Sequence, residues 1–108
     1  MIMVISWLKN HKIILFSLFI FVVSIIFINP LREAPIDDDW AYVLTVKNYV
    51  DTGHYVLHPW AAANFPFQVV WGSVFSKIIG FSYSSLRIST LVLTFFGMVG
   101  LYLFAREL

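Results

Sequence analysis

The chain has 108 residues, of which 60% are hydrophobic and 19% aromatic, while only 12% are charged. Soluble proteins carry about 25% charged residues, so this composition excludes an ordinary water-soluble domain and indicates an integral membrane protein. The formal net charge of +1 gives no basic surplus for neutralising phosphates, which argues against nucleic acid as a partner, and the lack of cysteine excludes disulfides and thiolate metal sites.

The first apolar run covers residues 13–28 and is interrupted only by Ser17 and Ser24. At about 1.5 Å per residue it is slightly shorter than a bilayer core of about 30 Å, and the next three residues make up the difference. We predict a transmembrane helix over residues 13–31. Residues 1–12, which include the basic residues Lys9, His11 and Lys12, are expected to lie in the cytoplasm. A cleaved signal peptide is the alternative, but no cleavage site with small residues follows the run.

Residues 32–85 form a long outer loop in this interpretation. Within it, apolar residues at helical spacing predict an amphipathic helix over about 39–51, with Thr45, Asn48 and Asp51 on its polar face. An aspartate before the first turn is expected to cap this helix, and Gly53 lies where a helix stop is expected.

Pro66 begins a second amphipathic segment, predicted to be helical over about 66–79. Its large apolar residues share one face, and its small and polar residues, including Gly72, Ser73 and Ser76, share the other. Two arrangements are compatible with this pattern. The helix lies in the membrane interface with its apolar face in the acyl region, or it packs against other spans.

A second apolar run covers residues 86–105, and Arg106 follows it. We predict a second transmembrane helix here, with residues 106–108 in the cytoplasm. The expected fold class is therefore an all-α membrane protein, with two transmembrane helices joined by a long outer loop that carries two amphipathic juxtamembrane helices.

Carboxylates are concentrated in the outer loop, above all at Asp37, Asp38 and Asp39. Adjacent carboxylates close to a low-dielectric surface resist ionising together, which makes this triplet a candidate general base. The alternative is that the three aspartates only cap a helix and solvate the loop.

Two further groups of polar residues are candidates for binding. His54 and His58, together with Asp38 and Asp39, have the ligand types that bind a divalent cation, although loop histidines more often hydrogen-bond to backbone. Lys77 and Arg87 are candidates for contacting a lipid phosphate, although cations beside membrane spans usually extend toward the headgroups.

An ordered set of motifs resembles the start of the GT-C glycosyltransferases, in particular the family 39-type enzymes that include protein O-mannosyltransferases and bacterial aminoarabinose transferases. The motifs are Asp38-Asp39-x-x-Tyr42, the helix ending at Gly53, Phe65-Pro66-Phe67, Gly80-Phe81-Ser82, Leu86-Arg87 and Tyr102-x-x-Ala105-Arg106. The resemblance extends over nearly the whole chain from Ile13. The chain departs from the family at Phe65-Pro66-Phe67, where many relatives have a charged residue or histidine followed by two prolines.

The resemblance implies that Asp38 is the catalytic base for inverting transfer of a sugar from a polyprenyl-phosphate donor, with Asp39 orienting the acceptor or a cation. Tyr42, Lys77 and Arg87 are the expected substrate contacts. It also implies a bacterial inner membrane location, an unidentified acceptor, and further spans beyond these 108 residues, without which we expect no activity. The rival hypothesis is a noncatalytic two-span accessory subunit, and a third is an interfacial metal-binding protein.

Overall fold

The computed structural model describes residues 11–108, and within that range α-helices are the only regular secondary structure. The four helices of this range are α1 (Lys12–Ile28), α2 (Asp39–Thr52), α3 (Pro66–Ile79) and α4 (Tyr83–Glu107). The predicted all-α class is confirmed. Most of the segment predicted to be cytoplasmic, residues 1–10, lies outside the described residues.

The chain divides into two compact units. Among the described residues, the terminal unit comprises residues 11–29 and Leu93–Leu108, and the central unit comprises Pro30–Val92. Helix α4 contributes residues to both units, because its first ten residues precede Leu93. The segment with the candidate site residues falls entirely within the central unit.

In the terminal unit, α1 and the second half of α4 expose most of their side chains. Ile14 is buried, and His11 Nδ1 lies 2.6 Å from the Tyr102 hydroxyl, a hydrogen bond between the two segments. Large apolar side chains point outward along both segments, among them Phe16, Phe19, Ile26, Phe27, Phe96, Leu101 and Phe104. Such an apolar exterior is expected where the surrounding medium is hydrocarbon.

Helix α4 is long and apolar enough to cross a membrane, and it is the only helix of residues 11–108 that meets both criteria. Helix α1 is apolar but has 17 residues, which at about 1.5 Å per residue is shorter than a bilayer core of about 30 Å. Its last residue is Ile28, and the following residue, Asn29, adopts a left-handed conformation with φ of 46°. The predicted extension to residue 31 is therefore not helical.

The central unit has a small core made by three helices. Val43 and Val46 of α2 pack with Val69 of α3 and Leu86 of α4, and all four are buried. Helix α2 ends at Gly53, whose φ of 73° lets its N–H bond back to the Tyr49 carbonyl at 2.9 Å. The predicted stop at this glycine is confirmed.

Helix α3 packs through the face that its sequence pattern marks as polar. Val69, Gly72, Ser73 and Ser76 are buried, whereas the large apolar residues Phe67, Val70, Val74 and Ile78 are exposed. This is the reverse of a water-soluble amphipathic helix. Small residues let two helix backbones approach closely, and helices packed in a membrane use such residues at their contacts.

Gly72 is the position at which this close approach is tightest. A Cβ added there would overlap the Tyr42 hydroxyl and lie 3.0 Å from Leu86 Cδ2. The hydroxyl is held in place because it donates a hydrogen bond to the Gln68 carbonyl at 3.1 Å. The Trp71 indole N–H donates to the Ser89 carbonyl at 2.8 Å, which joins α3 to α4 on the neighbouring side.

We expect Gly72→Ala to lower the free energy of unfolding by about 1–3 kcal/mol, because an added methyl group overpacks the contact among α2, α3 and α4. Gly97→Ala is the matched control, since no atom lies within 4 Å of a Cβ at that helical position. Denaturant titration in mixed micelles, followed by circular dichroism, measures both. Equal stability of the two variants would contradict the close approach, and Tyr42→Phe combined with Gly72→Ala should recover part of the loss.

Candidate functional site

Arg87 joins the first turns of α4 to the segment that precedes α2. Its Nε and Nη2 donate to Asp39 Oδ2 at 3.1 and 2.5 Å, and Nη2 also donates to the Ala34 carbonyl at 2.6 Å. Its Nη1 donates to the Pro30 carbonyl at 3.1 Å and to the Arg32 carbonyl. A guanidinium has five N–H donors, and all five are used.

Asp39 is held through both of its carboxylate oxygens. While Oδ2 accepts from Arg87, Oδ1 accepts from the Ile36 N–H at 2.8 Å. The ion pair is partly buried, with 14% of the arginine side chain and 28% of the aspartate side chain exposed. Asp39 therefore fixes the turn at residues 36–39 and begins α2 in one position.

Glu33 is a second carboxylate that links the same segment to α4. Its two oxygens accept from the backbone N–H groups of Tyr83 at 3.0 Å and Ser84 at 2.9 Å, so it caps the start of α4 from a distant part of the chain. Hydrogen bonds from the side chain and backbone of Ser84, with a smaller one from Tyr83, lower the pKa of Glu33 below its usual 4.5. Sequence analysis missed this role, since no local spacing connects Glu33 with α4.

Asp38 differs from both of these carboxylates. It occupies the N-cap position of α2 but makes no side-chain capping bond, and it is exposed. The prediction that an aspartate occupies the N-cap position is thus correct, but the expected hydrogen bond from its side chain to the first turn is not formed. Asp37 is also exposed and has a φ of 54°. Within residues 11–108, the side-chain carboxylates of Asp37 and Asp38 have no hydrogen-bond or ion-pair partner, although the Asp38 backbone carbonyl accepts from the Ala41 N–H at 3.3 Å.

An apolar cleft of about 270 Å³ lies beside the ion pair, between α2 and α4. Asp39, Tyr42 and Arg87 line it, together with the apolar side chains of Pro30, Val43, Tyr83, Leu86 and Leu91. Burial raises the pKa of Tyr42, although a hydrogen bond with Ser89 opposes this effect, so the hydroxyl is un-ionised at neutral pH. The cleft is a candidate site for an apolar chain.

The predicted substrate contacts are distributed over different places. Tyr42 and Arg87 line the cleft, but a contact from Arg87 to a phosphate would require one of its five existing hydrogen bonds to break. Lys77 lies in the last turn of α3, is exposed, and has no ion-pair partner among the described residues. The structure gives Arg87 a role in holding the fold that the sequence prediction did not include.

The four residues predicted to bind a metal do not form a cluster in the described part of the chain, where no group of three or more histidine or carboxylate side chains is placed to hold an ion. Asp39 is bound to Arg87, and His58 packs edge-on against Trp40 with ring centroids 5.0 Å apart. His54 is exposed. A divalent cation at Asp38, Asp39, His54 and His58 stays a prediction.

Thr45 is a further residue whose place differs from the prediction. It was assigned to the polar face of α2, but it is 1% exposed. Its hydroxyl donates to the Ala41 carbonyl at 2.8 Å and accepts from the His58 N–H at 3.0 Å. Thr45 therefore fastens the loop after α2 onto that helix, because a buried hydroxyl needs hydrogen-bond partners.

The arrangement leaves two exposed carboxylates, Asp37 and Asp38, without side-chain partners among residues 11–108, and Asp38 is the predicted base. Asp39 and Glu33 are committed to internal hydrogen bonds, whereas Asp38 is directly adjacent in sequence and is accessible. An accessible carboxylate on an anchored turn is able to accept a proton from a bound hydroxyl or amine.

The chain matches no model of a known protein family, no curated protein and no solved structure.

We expect Arg87→Ala to lower the free energy of unfolding by about 2–3 kcal/mol, less than for a fully buried pair because the Asp39 side chain is 28% exposed. The loss reflects the hydrogen bonds removed from three backbone carbonyls and the unpaired Asp39 carboxylate. Lys77→Ala is the control and should change stability by less than about 0.5 kcal/mol. Denaturant titration in micelles compares them. The structural role of Arg87 is refuted by an equal effect of the two substitutions.

Glu33→Gln tests the long-range cap through its pH dependence. Since the pKa of Glu33 is lowered in the folded state, its stabilising contribution is present above the usual pKa of 4.5 and is lost as the pH falls through the lower folded value. We expect the wild type to be more stable than the variant at pH 7, and the difference to shrink steadily as the pH falls below 4.5. A difference that is independent of pH would contradict the cap.

Proposed function

We propose that this chain is the amino-terminal part of an integral-membrane glycosyltransferase that moves a sugar from a polyprenyl-phosphate donor to an extracytoplasmic acceptor, with Asp38 as general base. The observation that carries the proposal is the difference between two adjacent carboxylates. The Asp39 carboxylate is held by Arg87, while the Asp38 carboxylate is exposed and has no hydrogen-bond partner within residues 11–108.

The proposed topology supplies the location that this chemistry needs. Helices α1 and α4 both span the membrane, α1 with help from its flanking residues, and residues 32–85 lie outside the cytoplasm of a bacterial inner membrane. The outward apolar face of α3 then lies against lipid. Asp38 is thereby placed at headgroup level, where the phosphosugar of a membrane-embedded donor is accessible.

The proposed reaction requires little from the protein beyond positioning and one base. The acceptor hydroxyl or amine attacks the anomeric carbon, its proton passes to Asp38, and the bond from that carbon to the phosphate oxygen breaks. Polyprenyl phosphate leaves with the bonding electrons, and the configuration at the anomeric carbon inverts. Because phosphate is a good leaving group, orientation of donor and acceptor accounts for much of the acceleration.

Asp39 and Arg87 act on this reaction indirectly in our proposal. Their ion pair holds residues 30–39 against α4, so that the backbone carrying Asp38 has one conformation. The apolar cleft beside the pair accommodates part of the donor's hydrocarbon chain. Remaining spans complete the enclosure of both substrates.

A noncatalytic accessory subunit is the second candidate, and one observation favours it. Internal hydrogen bonds that stabilise the central unit engage three of its charged side chains, those of Glu33, Asp39 and Arg87. In that case Asp38 only solvates the loop, and its amide replacement has no effect on sugar transfer.

Asp38→Asn separates the two candidates, because the amide keeps the size of the side chain but cannot act as a base. We expect glycosyl transfer to fall by about 10²–10⁴-fold. The assay follows a labelled sugar from polyprenyl phosphate in membranes that express the complete reading frame. Asp37→Asn is the matched control, since asparagine also tolerates the positive φ at that position and transfer should be nearly unchanged. Wild-type transfer by Asp38→Asn would refute the catalytic role.

A further inference from the structure

Trp60 is presented at the tip of a rigid turn in the loop between α2 and α3. The Ala61 N–H donates to the His58 carbonyl at 2.9 Å, which closes a four-residue turn with Pro59 and Trp60 at its centre. Proline in the second position restricts φ and stabilises this geometry. The Trp60 N–H also donates to His58 Nδ1 at 3.3 Å. The turn is therefore held by two internal hydrogen bonds.

The turn is also anchored to α2. His58 N–H donates to the buried Thr45 hydroxyl at 3.0 Å. The Trp40 ring, in the first turn of α2, lies 5.0 Å from the His58 ring and 6.1 Å from the Trp60 ring, measured between centroids. We refer to Trp40, His58 and Trp60 as the indole cluster. These contacts hold the turn that carries Trp60 against the start of α2.

Trp60 is nevertheless 75% exposed, so its indole gains little from burial in this structure. Its surroundings differ from those of the outward apolar side chains on α3. Asp38 precedes Trp40 by two residues, which places their Cα atoms within about 7 Å of each other. Asp37 and Asp38 are exposed carboxylates, and hydrocarbon in contact with this region would have to desolvate them at high cost.

His58 adds a hydrogen-bond donor to the cluster. Its Nδ1 accepts from the Trp60 N–H, so the neutral ring carries its proton on Nε2. In the described part of the chain, Nε2 has no hydrogen-bond partner. The cluster thus combines a flat aromatic face, one ring N–H donor and a nearby carboxylate acceptor.

We propose that the indole cluster is a subsite for the pyranose ring of a neutral or amino sugar. This inference rests on the proposed function. A pyranose has a flat face of C–H groups, which packs on an indole, and a rim of hydroxyl or amino groups. His58 Nε2–H donates to one rim oxygen, and Asp38 accepts from another hydroxyl or amine. The two carboxylates disfavour an isolated phosphate group at the same place.

The test uses the 108-residue chain in detergent micelles and saturation-transfer difference NMR with three probes: methyl glucopyranoside, methyl mannopyranoside and methyl glucosaminide. We expect at least one probe to receive saturation at its ring C–H protons. Trp60→Ala should weaken its binding by about tenfold, equivalent to about 1.4 kcal/mol, whereas Trp60→Phe keeps an aromatic face and should retain most of it. Phe67→Ala, at another exposed aromatic side chain on α3, is the control and should have no effect.

Two results would overturn the proposal. One is that none of the probes binds above the level of Trp60→Ala. The other is that Trp60 fluorescence, isolated as the difference between the wild type and Trp60→Phe, is quenched by bromine-labelled acyl chains in vesicles, which would make the cluster a membrane anchor. This test is independent of catalysis: pyranoside binding with full transfer by Asp38→Asn would leave the subsite standing and refute the base.

Discussion

The ion pair between Arg87 and Asp39 is the interaction on which the central unit depends. One guanidinium satisfies three backbone carbonyls of residues 30–34 and the carboxylate that begins α2. These carbonyls belong to a segment without helical hydrogen bonds, and of the three the Pro30 carbonyl also accepts from within the segment, from the Arg32 N–H at 2.9 Å. Without Arg87 the segment would have no other group in the described residues to join it to α4 except Glu33. The conformation at Asp38 follows from this constraint.

Packing of α3 depends on a different constraint, the absence of side-chain volume at Gly72. Because the Tyr42 hydroxyl and Leu86 occupy the space in front of this glycine, α3 approaches α2 and α4 through its small residues. Its large apolar residues are consequently left outside, where a bilayer would accept them without cost. The same physical logic covers α1 and α4, whose aromatic residues are also exposed. This exterior and the apolar composition are consistent with one helix, α4, that is long and apolar enough to cross a membrane.

Much of the fold was predictable from local sequence. Pro66 and Gly53 fix a helix start and a helix stop through backbone geometry alone, and apolar runs determine where α1 and α4 occur. The packing face of α3 was not predictable by the usual rule, because amphipathicity in water places the large apolar residues inside. Thr45 was misassigned for a related reason, since a threonine on a polar face becomes buried when a loop folds over it and uses its hydroxyl.

The candidate site was predictable in part. The acidic triplet marked the region, but sequence could not separate Asp39, which is held by an arginine 48 positions later, from Asp38, which is free of such contacts. Glu33 was missed because its partners are 50 and 51 positions away. Long-range hydrogen bonds between a loop and the start of a helix have no characteristic sequence spacing, so only the structure identifies them.

The central claim is that Arg87 holds the Asp39 carboxylate and leaves the Asp38 carboxylate accessible. Solid-state NMR of the chain in lipid bilayers tests it directly, with ¹⁵N label on arginine and ¹³C label on aspartate. The account predicts a dipolar coupling between the Arg87 guanidinium and the Asp39 carboxylate typical of a hydrogen-bonded pair, together with strong relaxation of the Asp38 carboxylate by a water-soluble paramagnetic ion. No coupling at Asp39, or an Asp38 carboxylate protected from the ion, would contradict it.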